Sequence, residues 1–146
     1  MSPERSGKAE PTDIKPRPAP IPDAESAPFW AATVDGRLVI QRCSACGHTQ
    51  LYARPHCLVC RQPVEWVDAT GRGTIYSYTV IRQNPSRSFR HLLPFVVALV
   101  DLEEGPRLMT NVVGCAPEDV AIGAAVQVTF EAVSEAASLP LFELII

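Results

Sequence analysis

Four of the five cysteines stand in two Cys-x-x-Cys pairs, Cys43/Cys46 and Cys57/Cys60. Each pair is a short loop that can present two thiolates to one ion, and two such loops complete a tetrahedron of ligands. Zinc suits four sulfur ligands, and iron in a rubredoxin-like site is the minor alternative. Because four sulfurs leave no coordination position open for substrate, the spacing predicts a structural metal site.

The two cysteine loops differ in the residue that follows their second cysteine. Gly47 follows Cys46 and can adopt the positive φ that turns backbone N–H groups toward the sulfurs. Arg61 follows Cys60, so this help is expected to be missing in the second loop. Two disulfides are the alternative to a metal, and a reducing location disfavours them.

Length and charge restrict the classes of protein to consider. A chain of 146 residues fits one domain, or a small domain with a metal-clamped appendage. Its 13 basic and 16 acidic residues give a net charge of −3, which argues against a dedicated nucleic-acid binder. No apolar run is as long as a membrane span, and the N-terminus has no signal-peptide core. We therefore expect a cytoplasmic protein.

The first part of the chain is predicted to be an arm followed by a short helix. Residues 1–25 carry many prolines among charges and should form an extended arm or linker. Ser26 can cap a helix, Pro28 fits its first turn, and Asp35-Gly36 ends it. This helix and the cysteine loops form the predicted unit 26–68.

Aromatic residues near the cysteine loops are candidates for a partner interface. Phe29 and Trp30 lie in the predicted helix, and Tyr52 lies in the strand that returns from the first cysteine loop. Packing of the helix aromatics onto the following domain is the ordinary interpretation. The functional alternative is that these residues anchor another protein.

The cysteine loops are framed by short predicted strands at residues 37–42, 49–53 and 64–67. Strand, cysteine loop, strand and cysteine loop is the layout of a zinc ribbon. Such a unit is too small for a core of its own, so metal ligation should supply much of its folding energy.

Residues 69–146 show the alternation of a β-protein. Tyr76, Tyr78 and Val80 are expected to share one face of the first strand. A helical turn is predicted at residues 116–122. The predicted strands are 74–82, 95–102, 107–113, 125–133 and 139–146. Five strands with one helical interruption predict a five-stranded barrel of the OB type, and the whole chain is expected to be mainly β.

Arginines outside the metal loops suggest an anion site. Residues 69–100 contain Arg72, Arg82, Arg87 and Arg90 but no acid, whereas eight acids and one arginine follow from Asp101 onward. This segregation predicts a positive face near the loop at residues 83–94. The guanidinium fork suits phosphates, so a phosphate-rich small molecule or an acidic protein surface could dock there. Solvated loop arginines are the alternative. No hydrolase, Walker A or dinucleotide-binding motif occurs.

The combination of motifs resembles the acyl-CoA-associated zinc-ribbon/OB-fold family, which was long catalogued as a domain of unknown function. The resemblance covers about residues 26–143. The second cysteine loop departs from the family pattern because Leu58 stands where a proline is common. The matching stretches are Phe29-Trp30, Gly36-Arg37-Leu38, Gln41-Arg42-Cys43-x-x-Cys46-Gly47, Pro55-x-Cys57-x-x-Cys60, Glu65-Trp66, Gly71-x-Gly73-x-Ile75-Tyr76-Ser77-Tyr78-Thr79-Val80, and residues 94–100, 104–108, 111–114, 122–123 and 140–142.

The resemblance implies an accessory role beside a thiolase-superfamily or lipid-transfer-protein-like aldolase, in a hetero-oligomer that acts on acyl-CoA. The partner would carry the catalytic residues. The specific reaction expected of it is retro-aldol cleavage in steroid or other lipid side-chain degradation. This chain would stabilise the partner and help to shape the CoA site, where Arg82, Arg87 and Arg90 are candidates for phosphate contacts. The arm resembles a linker of a fusion protein.

Two functions from other classes are weighed against this one. An OB barrel with a ribbon can bind single-stranded nucleic acid, and Tyr76 and Tyr78 could then act as stacking platforms. The acidic C-terminal half disfavours that function. An independent acyl-CoA carrier or hydrolase is a third hypothesis, for which the sequence offers no nucleophile–base pair.

Overall fold

A computed structural model describes residues 14–146, so most of the predicted arm lies outside the described residues. No helix in residues 14–146 is long and apolar enough to cross a membrane. The described range contains one α-helix, two 3₁₀ turns and eight strands. The elements are α1 (Ala27–Val34), β1 (Val39–Cys43), β2 (Thr49–Gln50), β3 (Val64–Asp68), β4 (Arg72–Ile81), a 3₁₀ turn (Arg90–Leu92), β5 (Phe95–Leu102), β6 (Arg107–Val113), a second 3₁₀ turn (Pro117–Asp119), β7 (Ala125–Ala132) and β8 (Ser138–Leu144).

Strands β1, β2 and β3 form the ribbon sheet in the order β2-β1-β3. Both pairings are antiparallel, so Gln41 lies between Gln50 on one side and Trp66 on the other. The prediction that the returning strand extends over residues 49–53 is wrong, because β2 ends at Gln50. Beyond it, the Gln41 side chain bonds both the N–H and the C=O of Arg54, which replaces regular strand pairing.

The other five strands close into a barrel in the order β4-β5-β6-β8-β7. The β6–β8 pairing is parallel, and the remaining pairings are antiparallel. A mainly β chain with a four-cysteine ribbon and a five-stranded OB-type barrel was expected from the sequence, and this prediction is confirmed. The helical turn expected between β6 and β7 is the 3₁₀ turn Pro117–Asp119.

A β-bulge in β4 changes which side chains share a face. Ile75 pairs with Val100 but Ser77 pairs with Leu99, so Tyr76 is the extra residue. The prediction that Tyr76 and Tyr78 point the same way is therefore wrong. Tyr78 packs against the core, whereas Tyr76 is 50% exposed. The pair consequently does not form the stacking platform that was considered for a single-strand binder.

One core joins the helix, the base of the ribbon and the barrel. Ile40 of β1 is fully buried and belongs to the same cluster as Phe29 of α1 and Phe142 of β8. The ribbon is thus not folded by metal alone, since β1 is anchored in the core that it shares with the barrel. Only the two cysteine loops project beyond this apolar support.

Helix α1 begins and ends almost as expected. Pro28 occupies the first turn, and Gly36 has the positive φ of +71° that ends a helix. Ser26 does not cap the helix with its side chain. Instead, the N–H of Ser26 donates to Asp23 Oδ1 (2.7 Å), and the N–H of Asp23 donates to Ser26 Oγ (3.1 Å).

The described part of the arm lies against the barrel. The N–H of Lys15 donates to the Arg87 carbonyl (3.4 Å), and Arg17 Nη1 donates to Asn111 Oδ1 (3.1 Å). The Arg17 guanidinium also lies 6.0 Å from the centroid of the Phe89 ring. The described part of the arm therefore follows the 83–94 loop and β6.

Gly73 is required by the close approach of β4 to β5. A Cβ at this position would lie 2.5 Å from the Asp101 carbonyl oxygen and 2.8 Å from Val100 Cγ1. We expect Gly73→Ala to lower the free energy of unfolding by about 1–3 kcal/mol, since paired backbone must move. Denaturant unfolding measures this change, and Thr74→Ala, at the exposed neighbouring position, is the control. Equal stability of the two variants would contradict the expectation.

Candidate metal centre and surrounding surface

The structure brings the four predicted cysteine ligands together. Their sulfur atoms all lie within 4.8 Å of one another. The Cys43–Cys60 sulfur distance is 3.4 Å, and the Cys46–Cys57 distance is 3.6 Å. A tetrahedron of sulfurs about 2.3 Å from zinc has edges of about 3.8 Å, so this arrangement fits a single tetrahedrally coordinated ion.

Backbone N–H groups in each loop point toward the first cysteine of that loop. The N–H of Cys46 lies 3.4 Å from Cys43 Sγ, and the N–H of Val59 lies 3.4 Å from Cys57 Sγ. The N–H of Cys46 is the main cause that lowers the pKa of Cys43 to about 6. The N–H of Cys60 likewise lowers the pKa of Cys57. Both effects favour the thiolate at the first cysteine of each loop, whereas burial and the neighbouring sulfurs raise the pKa of the second cysteines, Cys46 and Cys60.

Both cysteine loops end in a left-handed residue. Gly47 has φ +77°, and Arg61 has φ +66° although it carries a side chain. Each residue donates its N–H to the carbonyl of the first cysteine of its loop, at 2.9 Å for Gly47 and 3.0 Å for Arg61. The prediction that the second loop lacks this turn is wrong, because closure of the loop imposes the conformation on Arg61.

Two buried glutamines orient the second cysteine loop, and the sequence reasoning missed them. Gln41 and Gln50 are only 3% and 4% exposed, and their side chains are hydrogen-bonded to each other (2.9 Å). Gln50 also accepts from the N–H of Leu58 and donates to the His56 carbonyl. The signal in the sequence is Gln41 within the apolar strand β1, because an amide side chain at a buried position needs polar partners.

The arginines of residues 69–100 do not act as one charged group. Arg72 forms an ion pair with Glu103 (3.0 Å), so the positive face predicted from sequence segregation does not extend to it. Arg82, Arg87 and Arg90 are exposed around the 83–94 loop, and none forms an ion pair with a carboxylate in the described part of the chain. These three remain available to an external anion.

The three candidate interface aromatics differ in exposure. Phe29 is 7% exposed and packs on Trp30 and Trp66, with ring centroids 5.0 Å and 6.4 Å away. Trp30 is half-buried, and Tyr52 is 54% exposed with its hydroxyl oxygen accepting the N–H of Met109 (2.8 Å). Trp30 and Tyr52 therefore keep surface that a partner can contact, whereas Phe29 faces the interior.

A cavity of about 260 Å³ lies between α1, the ribbon and the barrel. Its walls are mainly apolar, and the Arg17 side chain from the arm contributes to one side. The cavity shares Tyr52 and Met109 with the outer surface of the barrel. Other residues that line it include Trp30, Leu108 and Leu139.

The fold and the four-cysteine site define a protein that joins a zinc-ribbon unit to an OB barrel. Residues 30–65 match the rubredoxin-like zinc ribbon domain of ChsH2, and residues 66–131 match the ChsH2 C-terminal OB-fold domain. The chain belongs to this ChsH2 family, which is also named DUF35.

Three similar proteins carry names that describe complexes or scaffolds. The chain is 37% identical to a chain of the solved "Ltp2-ChsH2(DUF35) aldolase", with a TM-score of 0.79 over 88% of this chain and 100% of that one. It is 36% identical to a "DUF35 domain-containing scaffold protein" of Methanocaldococcus jannaschii over 67% of this chain and 70% of that protein. A "probable enoyl-CoA hydratase alpha subunit" of Thermomonospora curvata is 40% identical over 94% of this chain, which spans only 44% of that relative's length.

Substitution of a cysteine in the four-sulfur site should affect metal content and stability, whereas substitution of the fifth cysteine should not. We expect Cys57→Ser to lose bound metal and to melt at a lower temperature, because the buried Cys57 supplies one of the four sulfurs that hold the two loops together. Elemental analysis for zinc and iron, together with thermal unfolding, measures both effects. Cys115→Ser, which lies outside the four-sulfur site, is the matched control. Metal-free wild-type protein purified without chelators would contradict the prediction.

Substitutions at the two left-handed residues, Gly47 and Arg61, should change stability in opposite directions. Arg61→Gly should raise the free energy of unfolding by up to about 1 kcal/mol. A residue with a side chain pays about 1–2 kcal/mol for this conformation, and the larger entropy of glycine in the unfolded state offsets part of the gain from removing it. Gly47→Ala should lower it by about 1–2 kcal/mol, although its Cβ would meet nothing within 4 Å. Denaturant titration of the metal-loaded protein tests both, and shifts of the same sign would refute the interpretation.

Proposed function

We propose that this chain is a non-catalytic accessory subunit that binds and stabilises a thiolase-fold enzyme subunit acting on acyl-CoA thioesters. The specific reaction proposed for the partner is retro-aldol cleavage in the degradation of a steroid or other lipid side chain. The observation that carries the proposal is the similarity over the whole of a chain from the Ltp2-ChsH2 aldolase. The scaffold name of the archaeal relative and the hydratase-subunit name of the bacterial one support it.

The proposed role of the metal is structural. We propose one zinc ion per chain, held by Cys43, Cys46, Cys57 and Cys60, with iron as the alternative. When bound, this ion would hold the two cysteine loops together. All four sulfurs face one position, so such an ion would have no free coordination position for a substrate. The thiol ligands also support a cytoplasmic, reducing location.

The proposed role of the loop arginines is to contact CoA phosphates at or near the interface with the partner. Arg82, Arg87 and Arg90 are exposed and have no ion pair with a described carboxylate. Their planar guanidinium groups can bind phosphate oxygens with two hydrogen bonds each. We further propose the division of the chain into an arm (1–25), a helix with ribbon (26–68) and a barrel (69–146).

Co-expression tests the accessory role directly. We expect this chain to copurify in a hetero-oligomer with a thiolase-fold subunit from the same organism, and we expect that subunit to be less soluble and less active alone. Size-exclusion chromatography and cleavage of a few CoA thioesters, by each subunit and by the complex, are the measurements. The Ltp2 subunit of the solved complex is a second partner to try.

The proposal would be overturned if neither thiolase-fold subunit formed a complex with this chain, or if the partner were equally soluble and active without it. Titration calorimetry with a CoA ester separates binding by this chain alone from binding by the complex. Cleavage of the thioesters by this chain alone would contradict the non-catalytic role.

A further inference from the structure

Strand β5 is apolar on its inner face and along most of its outer face. Its inward residues, Val96, Ala98, Val100 and Leu102, are at most 3% exposed. The outward residues that alternate with them are Phe95, Val97, Leu99 and Asp101. The first three are apolar, half-buried and outside the core cluster. A barrel strand whose outer side faces only water ordinarily alternates apolar with polar residues.

Strand β7 of the same barrel shows that ordinary alternation. Val126, Val128 and Phe130 point inward and belong to or pack against the core. After Ala125 at its start, the outward residues of the same strand are polar, namely Gln127, Thr129 and Glu131. The apolar outer side of β5 is therefore a local property of β5 and does not reflect the composition of the barrel as a whole.

Neighbouring elements extend the apolar surface around β5 on both sides. From β4, the Tyr76 ring reaches Arg107 of β6, whose guanidinium carbon lies 3.3 Å from the ring centroid. Arg107 also binds Asp101, an outward residue of β5 (2.6 Å), so Tyr76 lies across the outer side of that strand. On the other side, Met109 pairs with Leu99 and donates its N–H to Tyr52.

The resulting outer β5 face consists of Tyr52, Tyr76, Val97, Leu99 and Met109. Tyr52 is 54% exposed, Tyr76 50% and Met109 62%. Three exposed large side chains gathered around the half-buried Val97 and Leu99, with the Arg107–Asp101 ion pair beside Tyr76, mark an interaction site. Tyrosine and methionine are among the residue types enriched in protein–protein interfaces, and tyrosine is common at their energetic centres.

We propose that the outer β5 face is the surface on which the thiolase-fold partner subunit docks, an inference that rests on the proposed function. Apart from the edge where Tyr52 and Met109 also line the 260 Å³ cavity, the face is the outside of a barrel and hence convex, whereas small molecules bind in concave sites. Its centre requires an apolar partner surface. The loop that follows β4 and leads into β5 places Arg82, Arg87 and Arg90 at one end of the face, which favours a partner with acidic groups or a bound phosphate there.

Substitutions on the two strands test the docking surface against a matched control. Met109→Glu puts a charge at the most exposed position of the face, and Leu99→Ala removes apolar surface without adding charge. Thr129→Glu puts the same charge on the outward side of β7. Each variant is purified as the full chain with its metal, and its melting temperature and metal content are compared with wild type. Affinity for the purified thiolase-fold subunit is then measured by titration calorimetry.

We expect Met109→Glu to weaken the complex at least about tenfold and Leu99→Ala to weaken it measurably, with Thr129→Glu close to wild type. Wild-type affinity for both β5-face variants would overturn the inference while leaving the accessory function intact. A wild-type chain that forms no complex would overturn the function and the inference together. A self-associating wild-type chain that Met109→Glu converts to monomer without loss of partner affinity would also overturn the inference, because the face would then bind a second copy.

Discussion

The convergence of four sulfur atoms on one position is the constraint on which the shape of the ribbon depends. The two cysteine loops project beyond the apolar core, where their sulfurs, the buried Gln41–Gln50 pair and backbone hydrogen bonds within each loop hold them in place. The force of this constraint is visible at Arg61, which takes the left-handed conformation that glycine takes in the first loop. Closing the tetrahedron therefore outweighs the local preference of the backbone.

The ribbon is joined to the barrel through a shared core because β1 contributes to both. Its Ile40 is buried in the common core, while Cys43 at its end belongs to the sulfur cluster. Helix α1 closes the other side of this junction, where Thr33 Oγ1 donates to the Trp30 carbonyl (2.6 Å) and accepts the N–H of Ser138 in β8 (3.1 Å). A metal bound at the cysteines would thus stabilise a surface that extends over ribbon, helix and barrel, as an accessory subunit requires.

The charge pattern of the surface depends on strand pairing, which the sequence does not show. Arg72 and Glu103 are far apart in the chain, but pairing of β4 with β5 brings them to 3.0 Å. This ion pair neutralises Arg72, so the basic and acidic halves of the sequence are not separate on the surface there. The arginines of the 83–94 loop escape this neutralisation because they lie beyond the ends of both strands.

By itself, the sequence determined the features that depend on local spacing: the four-cysteine set, most strand bounds, the end of α1 at Gly36 and the mainly β fold. These follow from periodicity and turn chemistry, which act over a few residues. Only the tertiary structure decided the bulge at Tyr76, the role of the two glutamines, the burial of Phe29 and the exposed apolar side of β5. Each of these depends on which distant strand lies alongside, and a one-residue shift in pairing reverses the direction of every side chain beyond it.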